Sequence, residues 1–216
     1  HILAGCPVAL SQGRYRWRHD KVLKQIADQV KFHCERRVNK RKSSCVTRKA
    51  IEFVPAGGRF KEVKRSKVSE FGILSGATDW IVLADLDKQL KFPSDIATTR
   101  LRPDLVLFSK ASKRVIWWEL TVPSEERIAA SHELKLDRYN SLQAEIQANG
   151  WSCFSFAVEV GARGVVAASL ECASRKIGLT GRALKKLVRD CGKDAAHCSR
   201  WIYLLSRKRE WEMRAV

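Results

Sequence analysis

The chain has 216 residues, 45% of them hydrophobic, which is enough for one packed domain. Its 41 Lys and Arg residues exceed its 23 Asp and Glu residues, and the formal net charge of +18 indicates a nucleic-acid-binding surface. No segment approaches the roughly 20 consecutive apolar residues of a membrane span, so we expect no membrane partner. The seven Cys residues are scattered without CxxC pairs, which argues against a disulfide framework and indicates a reducing compartment.

The positive charge is concentrated on either side of a central segment. Residues 36–67 carry a net charge of +10 and residues 175–214 a net charge of +8, whereas residues 68–174 carry −3. This distribution is expected when basic flanks bind the phosphate backbone and central carboxylates gather a metal ion. The basic run at 36–42 is also compatible with a flexible loop or a nuclear-import patch.

The first element is a helix over about residues 17–37. Its apolar side chains recur on one side, and His19 lies on that same face with Asp20 at its margin. Residues 45–47 and 51–54 are possible edge strands. The Gly- and Lys-rich stretch that follows is interpreted as a DNA-contacting loop containing Lys64, Arg65 and Lys67.

A strand over 80–84 and a β-hairpin follow. The β-branched and aromatic runs 105–108 and 115–122 are joined by a polar turn, which places Asp104 at the entry of one strand and Glu119 toward the exit of the other. The two carboxylates can therefore converge on one edge of the sheet and hold Mg²⁺ or Mn²⁺. The alternative is a turn aspartate and an unrelated surface glutamate.

The next helix is predicted to begin at Ser124, as an N-cap followed by acidic residues, and to extend to Gly150. At about 100° per residue, six side chains share its buried face: Ile128, His132, Lys135, Tyr139, Leu142 and Ile146. Lys135 therefore either extends its ammonium out at the sheet edge or acts beside the metal-bound water or the scissile phosphate.

The C-terminal part contains a period-two strand over 153–160 and a turn at Gly161–Gly164, where Arg163 is a candidate phosphate clamp. A helix beginning near Val165 and two more, over about 181–191 and 194–209 with Gly192 between them, complete the prediction. The elements together predict a single α/β unit.

These residues resemble the PD-(D/E)XK nuclease core, specifically the restriction-like endonuclease domain at the C-terminal end of site-specific non-LTR retrotransposon polyproteins. Arg102-Pro103-Asp104, Glu119 and Lys135 match that family's Arg/Lys-Pro-Asp, its Glu and its catalytic Lys displaced onto the next helix. Thr121 stands where nucleases of the general pattern carry that Lys. The resemblance implies a restriction-endonuclease-like core, a mixed central β-sheet flanked by helices.

The resemblance also implies roles for further residues. Asp104, Glu119 and Lys135 would be catalytic, with the backbone carbonyl of Thr121 and the side chain of Asp20 as additional metal ligands. Alternatively, Asp20 is an acidic residue in the first turn of the helix, where the helix dipole favours a negative charge. Besides the residues named above, Arg102, Arg138 and Tyr139 are expected to contact DNA.

The start of the chain carries a second point of resemblance. His1 and Cys6 have the His-x4-Cys spacing of the second half of the family's Cys-Cys-His-Cys zinc knuckle. We therefore expect residues 1–15 to be a knuckle remnant and linker, and residues 16–216 the endonuclease domain. A structural zinc site needs four ligands, so Zn²⁺ is expected only if the first two Cys of the knuckle are present.

The function expected from the sequence is Mg²⁺-dependent nicking of double-stranded DNA in the nucleus. The resemblance implies that the resulting 3′-hydroxyl primes reverse transcription, with the reverse transcriptase and RNA-binding domains of the parent polyprotein as partners. One alternative is a non-catalytic DNA-binding module with a degenerate nuclease fold. An RNase-H-like transposase core is a third reading, but it needs three acidic residues at other spacings.

Overall fold

The computed structural model of the chain describes residues 1–44 and 72–208 as a mixed α/β structure, with a four-stranded sheet flanked by helices. The strands are β1 (Ile81–Ala84), β2 (Leu105–Ser109), β3 (Arg114–Thr121) and β4 (Ser152–Glu159). The helices are α1 (Pro7–Ser11), α2 (Arg14–Ser44), α3 (Ile128–Arg138), α4 (Asn140–Ala148), α5 (Ala168–Lys176) and α6 (Gly181–Leu204).

The strands lie in the order β1-β2-β3-β4. The first three form an antiparallel meander, and β4 pairs parallel to β3 after the crossover through α3 and α4. The hairpin predicted from the sequence is confirmed, with Leu105 opposite Trp118 and Ser109 opposite Arg114. Since β3 is central and covered on both faces, its apolar residues run almost without interruption.

Two hydrophobic clusters cover the two faces of the sheet. Side chains of β2 alternate between them, because successive residues of a strand point to opposite faces: Leu105 and Leu107 face α2, α5 and α6, whereas Val106 and Phe108 face α4. The same alternation directs Glu119, the neighbour of Trp118 in sequence, toward the side of α3 and α4. The fold thus sets the face on which the predicted acidic residues lie.

The single helix predicted from Ser124 to Gly150 is wrong in its continuity. Ser124 precedes a 3₁₀ turn (Glu125–Arg127) and makes no capping hydrogen bond through its side chain, and the helical segments α3 and α4 are separated at Tyr139. α3 has no buried residue and is attached to the sheet by polar contacts from His132 and Lys135. α4 instead packs on the sheet through its buried apolar side chains, Leu142 and Ile146.

The predicted interruption at Gly192 is also wrong, because α6 is one helix from Gly181 to Leu204. Gly192 instead allows a close approach to the turn after β4: a Cβ at residue 192 would lie 2.6 Å from the carbonyl oxygen of Gly164. Gly164 has a φ of 98°, and a Cβ added at this residue would likewise lie 2.6 Å from the carbonyl oxygen of Gly192. Glycine is required here by packing between two backbones, not by the end of a helix.

Gly192→Ala is therefore expected to lower the free energy of unfolding by about 1–2 kcal/mol. Overpacking a filled site costs about 1–3 kcal/mol, and a clash with a backbone carbonyl belongs to the upper part of that range, about 2–3 kcal/mol. The helix propensity of Ala offsets about 1 kcal/mol of this cost. Urea unfolding followed by circular dichroism measures the change. The control is Gly5→Ala, whose Cβ would lie 3.7 Å from the nearest atom, an ordinary contact. A Gly192→Ala variant as stable as the wild type would contradict the close approach.

The N-terminal residues pack onto the rest of the fold. α2 spans the boundary expected between residues 15 and 16, and the buried Arg18 donates to the carbonyl oxygens of Leu3 and Val122 and to the Ser199 hydroxyl. In the described parts of the chain, no helix is both long and apolar enough to cross a membrane. The possible strands at 45–47 and 51–54 lie outside the described residues.

Candidate active site

An open cleft of about 600 Å³ lies at the end of the sheet where β1 ends, β2 begins and β3 ends. Charged side chains of both signs line it. The basic ones are Arg16, Arg100, Arg102, Lys135 and Arg138, and the acidic ones are Asp85, Asp104 and Glu119. Acidic groups on the floor with basic groups around them suit a phosphate diester and a cation bound together.

The predicted acidic pair is brought together by the register of the hairpin. Extending the β2–β3 pairing by one residue beyond Leu105 and Trp118 places Asp104 opposite Glu119. The Asp104 carbonyl accepts a hydrogen bond from the Asp85 amide on the β1 side. Asp104 and Glu119 therefore form a non-hydrogen-bonded cross-strand pair, the kind in which Cα atoms come within about 4.5 Å and side chains are closest.

Glu119 is neutralised from the α3 side. Its side chain is 5% exposed, its Oε1 contacts the Lys135 ammonium, and the Arg138 guanidinium lies 3.7 Å from the same oxygen. Its Oε2 accepts a 2.7 Å hydrogen bond from the Tyr139 hydroxyl. The inward position predicted for Lys135 is therefore where the structure places it, with an ammonium that reaches the acidic pair.

Tyr139 holds Glu119 and does not present itself to DNA. The residue is 1% exposed, and its ring packs against Trp117 with 6.2 Å between centroids. Burial, and then the neighbouring Glu119 carboxylate, raise the pKa of the Tyr139 hydroxyl, so it stays protonated and donates. The expected DNA contact by Tyr139 is thus corrected: its hydroxyl is bound to Glu119 and its ring packs on Trp117 inside the core.

Asp104 is held from the other side. Its Oδ2 accepts a 2.8 Å hydrogen bond from the Leu120 amide and lies 3.3 Å from His19 Nε2. Burial by itself would lower the pKa of His19, but its hydrogen bonds to Asp104 and Asp20 outweigh burial and raise that pKa to about 9. The imidazole is therefore protonated at neutral pH, and His19 balances the charge of Asp104 as Lys135 balances that of Glu119.

Asp20 reaches the acidic pair only through His19. Its carboxylate contacts His19 Nδ1 at 2.9 Å and Arg16 Nε at 2.8 Å, and its side chain is 31% exposed. It does not line the cleft. The structure therefore places Asp20 against His19 and Arg16, and its role as a cation ligand stays a prediction.

The donor set of the acidic pair fits a hard divalent cation. Two carboxylates plus water and phosphate oxygens are the usual surroundings of Mg²⁺. Nowhere in residues 1–44 and 72–208 do three His, Cys, Asp or Glu side chains gather as a metal cage. The Thr121 carbonyl, expected as a further ligand, accepts a 3.0 Å hydrogen bond from the Val160 amide on the β4 side, because Thr121 belongs to the parallel ladder. Its role as a ligand stays a prediction.

The residues expected to contact DNA divide into three groups. Arg102 and Arg138 line the cleft, with side chains 39% and 51% exposed. Arg163 lies elsewhere, and its guanidinium contacts Glu125 and Glu126 at 2.8 and 3.2 Å, so two carboxylates occupy the group that would clamp a phosphate. Lys64, Arg65 and Lys67 lie outside the described residues.

His1 and Cys6 lie in the turn before α1. Cys6 is a free cysteine, and its amide donates a 2.9 Å hydrogen bond to the Tyr15 hydroxyl. Tyr15 also donates to the Ile2 carbonyl at 2.8 Å. These contacts fix the segment on the start of α2.

Four charged cleft residues were given no role from the sequence: Arg16, His19, Asp85 and Arg100. His19 was placed on the inner face of the first helix but given no role. Asp85 directly follows the apolar strand 81–84, as Asp104 directly precedes another, and that position was the available signal. Arg16 meets Asp85 across 69 residues of chain, and no short-range pattern predicts such a contact.

No protein-family model matches the chain, and no curated protein is significantly similar to it.

Proposed function

We propose that the protein is a metal-dependent DNA endonuclease with a restriction-endonuclease-like core. The observation that carries this proposal is the convergence of Asp104, Glu119 and Lys135 at one end of the sheet, on the floor of a cleft with a basic rim. The mixed sheet flanked by helices agrees with the fold that the sequence resemblance implies. The formal net charge of +18 supports a polyanionic substrate.

Different side chains of the cleft have different roles around the scissile phosphate. A divalent cation held by Asp104 and Glu119 would supply Lewis-acid stabilisation and a more acidic water. The Lys135 ammonium neutralises charge on the phosphate or orients the attacking water from the α3 side. Arg102 and Arg138 hold the DNA backbone at the rim of the cleft, because one guanidinium group can donate two parallel hydrogen bonds to a phosphate.

A role in retrotransposition is what the sequence resemblance implies, and it depends on the proposed endonuclease activity. Cleavage would leave a 3′-hydroxyl that primes reverse transcription in a site-specific non-LTR retrotransposon. The partners would then be double-stranded DNA and the reverse transcriptase and RNA-binding domains of a parent polyprotein. Such a reaction takes place in the nucleus.

A plasmid-nicking assay tests the proposal. We expect the purified chain to convert supercoiled DNA to the open-circular form in Mg²⁺ or Mn²⁺, and not in EDTA. End-labelling with a polymerase that extends only free 3′-hydroxyl termini should then succeed without phosphatase treatment. Titration with Mn²⁺ in a calorimeter should give a binding isotherm in the absence of DNA.

The same measurements distinguish an endonuclease from a non-catalytic DNA-binding module. A chain that binds duplex DNA but neither cleaves it in either cation nor takes up Mn²⁺ would be a non-catalytic module with a nuclease-like fold. A chain that binds neither DNA nor cation would contradict both readings.

A further inference from the structure

A third carboxylate stands beside the acidic pair. The β1–β2 pairing, extended by one residue beyond Ala84 and Leu105, places Asp85 opposite Asp104, and the Asp85 amide donates to the Asp104 carbonyl at 2.8 Å. Asp85, Asp104 and Glu119 thus form one row across three strands. The side chain of Asp85 is only 4% exposed, so its charge must be compensated by the protein.

Arginines and one amide compensate it. Asp85 Oδ1 accepts a 2.8 Å hydrogen bond from the Leu90 amide, and Oδ2 lies 3.1 Å from Arg16 Nη2 and 3.3 Å from Arg102 Nη2. Arg16 Nη2 also donates to the Asp85 carbonyl at 2.9 Å. Burial would raise the pKa of Asp85, but the Leu90 amide and the two guanidiniums outweigh it and lower that pKa, so the group is ionised.

These contacts give Asp85 a different role from that of its neighbours. Among the described residues, the cations nearest to Asp85 are the two arginines, which lie on the cleft wall away from Lys135 and Arg138. The effect of Asp85 is to fix two guanidiniums, from α2 and from the segment before β2, on the wall of the cleft. Their side chains remain 46% and 39% exposed.

The exposed donors have the geometry for an anion. A guanidinium has five N–H donors; Arg16 donates one of them, from Nη2, to the Asp85 carboxylate, and Arg102 Nη2 forms an ion pair with the same oxygen. Arg16 is further engaged by Asp20 through Nε, whereas Asp85 is the ion-pair partner of Arg102 among the described residues. Arg102 therefore has more donors left for phosphate oxygens than Arg16 has.

We propose that Arg102 and Arg16 form a subsite for one backbone phosphate of DNA next to the acidic pair, and that Asp85 is the positioning residue that holds both guanidiniums in place. This inference rests on the proposed nuclease function, because it assigns the cleft to a DNA backbone. It adds a contact through Arg16 and a reason why a third carboxylate lies in the row.

Binding of a labelled DNA duplex, measured by fluorescence anisotropy in EDTA over a series of salt concentrations, tests the subsite without cleavage. Arg102→Ala should weaken binding about five- to tenfold and make the slope of log K against log salt shallower by about one. Asp85→Asn should weaken binding by a similar factor. In an Arg16→Ala/Arg102→Ala background, Asp85→Asn should have no further effect, because its role acts through those two residues.

Cleavage kinetics and a control variant complete the test. In Mg²⁺, Asp85→Asn should raise KM about five- to tenfold and change kcat less than about threefold. Lys110→Ala removes a basic side chain that is paired with Asp95 outside the cleft, and it should leave binding unchanged.

Several outcomes would overturn the inference. Additive losses when Asp85→Asn is combined with the two arginine variants would show that Asp85 acts elsewhere. Loss of Mn²⁺ binding in Asp85→Asn would make it a metal ligand, and unchanged binding in Arg102→Ala would remove the subsite. If instead the wild-type chain binds DNA with these mutational effects but never cleaves it, the nuclease proposal fails and the subsite stands.

Discussion

Asp104→Asn and Glu119→Gln are each expected to reduce Mg²⁺-dependent DNA nicking at least about a thousandfold. A bound cation contributes several kcal/mol to phosphoryl-group chemistry, and about 1.4 kcal/mol corresponds to a tenfold change in rate. Both substitutions keep the shape of the side chain, so the Leu120 amide and the Tyr139 hydroxyl retain an acceptor oxygen. Initial rates of plasmid nicking measure the loss.

DNA binding should survive both substitutions. Removing a negative charge from the floor of the cleft reduces repulsion of the phosphate backbone, so the dissociation constant in EDTA should stay the same or fall. The matched controls are Asp95→Asn and Glu133→Gln, which alter exposed carboxylates that do not line the cleft. Nicking retained in both site variants, with contaminating nucleases excluded, would remove Asp104 and Glu119 from the mechanism.

The acidic pair could be predicted because local patterns determine it. Two apolar runs joined by a polar turn define a hairpin, and the register of a hairpin fixes which residues stand opposite each other. The position of Lys135 followed from helical periodicity, because His132 and Lys135 both lie within α3, three residues apart and on the same face. Hairpin register and helical phase depend on residues close together in the chain, so both can be predicted from a single amino-acid sequence.

The supporting residues could not be predicted, because their contacts join distant parts of the chain. Arg16 meets Asp85 across 69 residues, and the packing that requires Gly192 depends on a backbone turn at Gly164. The hydrogen bond from Tyr139 to Glu119 likewise joins two elements, and helical periodicity does not contain it. The local patterns predicted a continuous helix at Tyr139 and an interruption at Gly192, and the structure has the reverse at both positions.

Lys135→Met is expected to reduce the nicking rate about 10²- to 10³-fold, the usual effect of losing one preorganised group that stabilises transition-state charge. Met keeps an apolar stem of similar length and removes the ammonium that contacts Glu119 Oε1. Single-turnover cleavage at saturating protein separates this loss from any change in DNA affinity. Lys110→Ala, which removes an exposed lysine paired with Asp95, is the control.

A loss of stability must be distinguished from a loss of catalysis, because Lys135 also neutralises a carboxylate that is 5% exposed. Removing one partner of a largely buried pair destabilises the fold, whereas removing the charge of both is far better tolerated. The double variant Lys135→Met/Glu119→Gln should therefore recover the thermal stability lost in Lys135→Met and remain inactive. If the single variant cleaves within about tenfold of the wild type, Lys135 has only this charge-balancing role, and another group must orient the water or stabilise the phosphate.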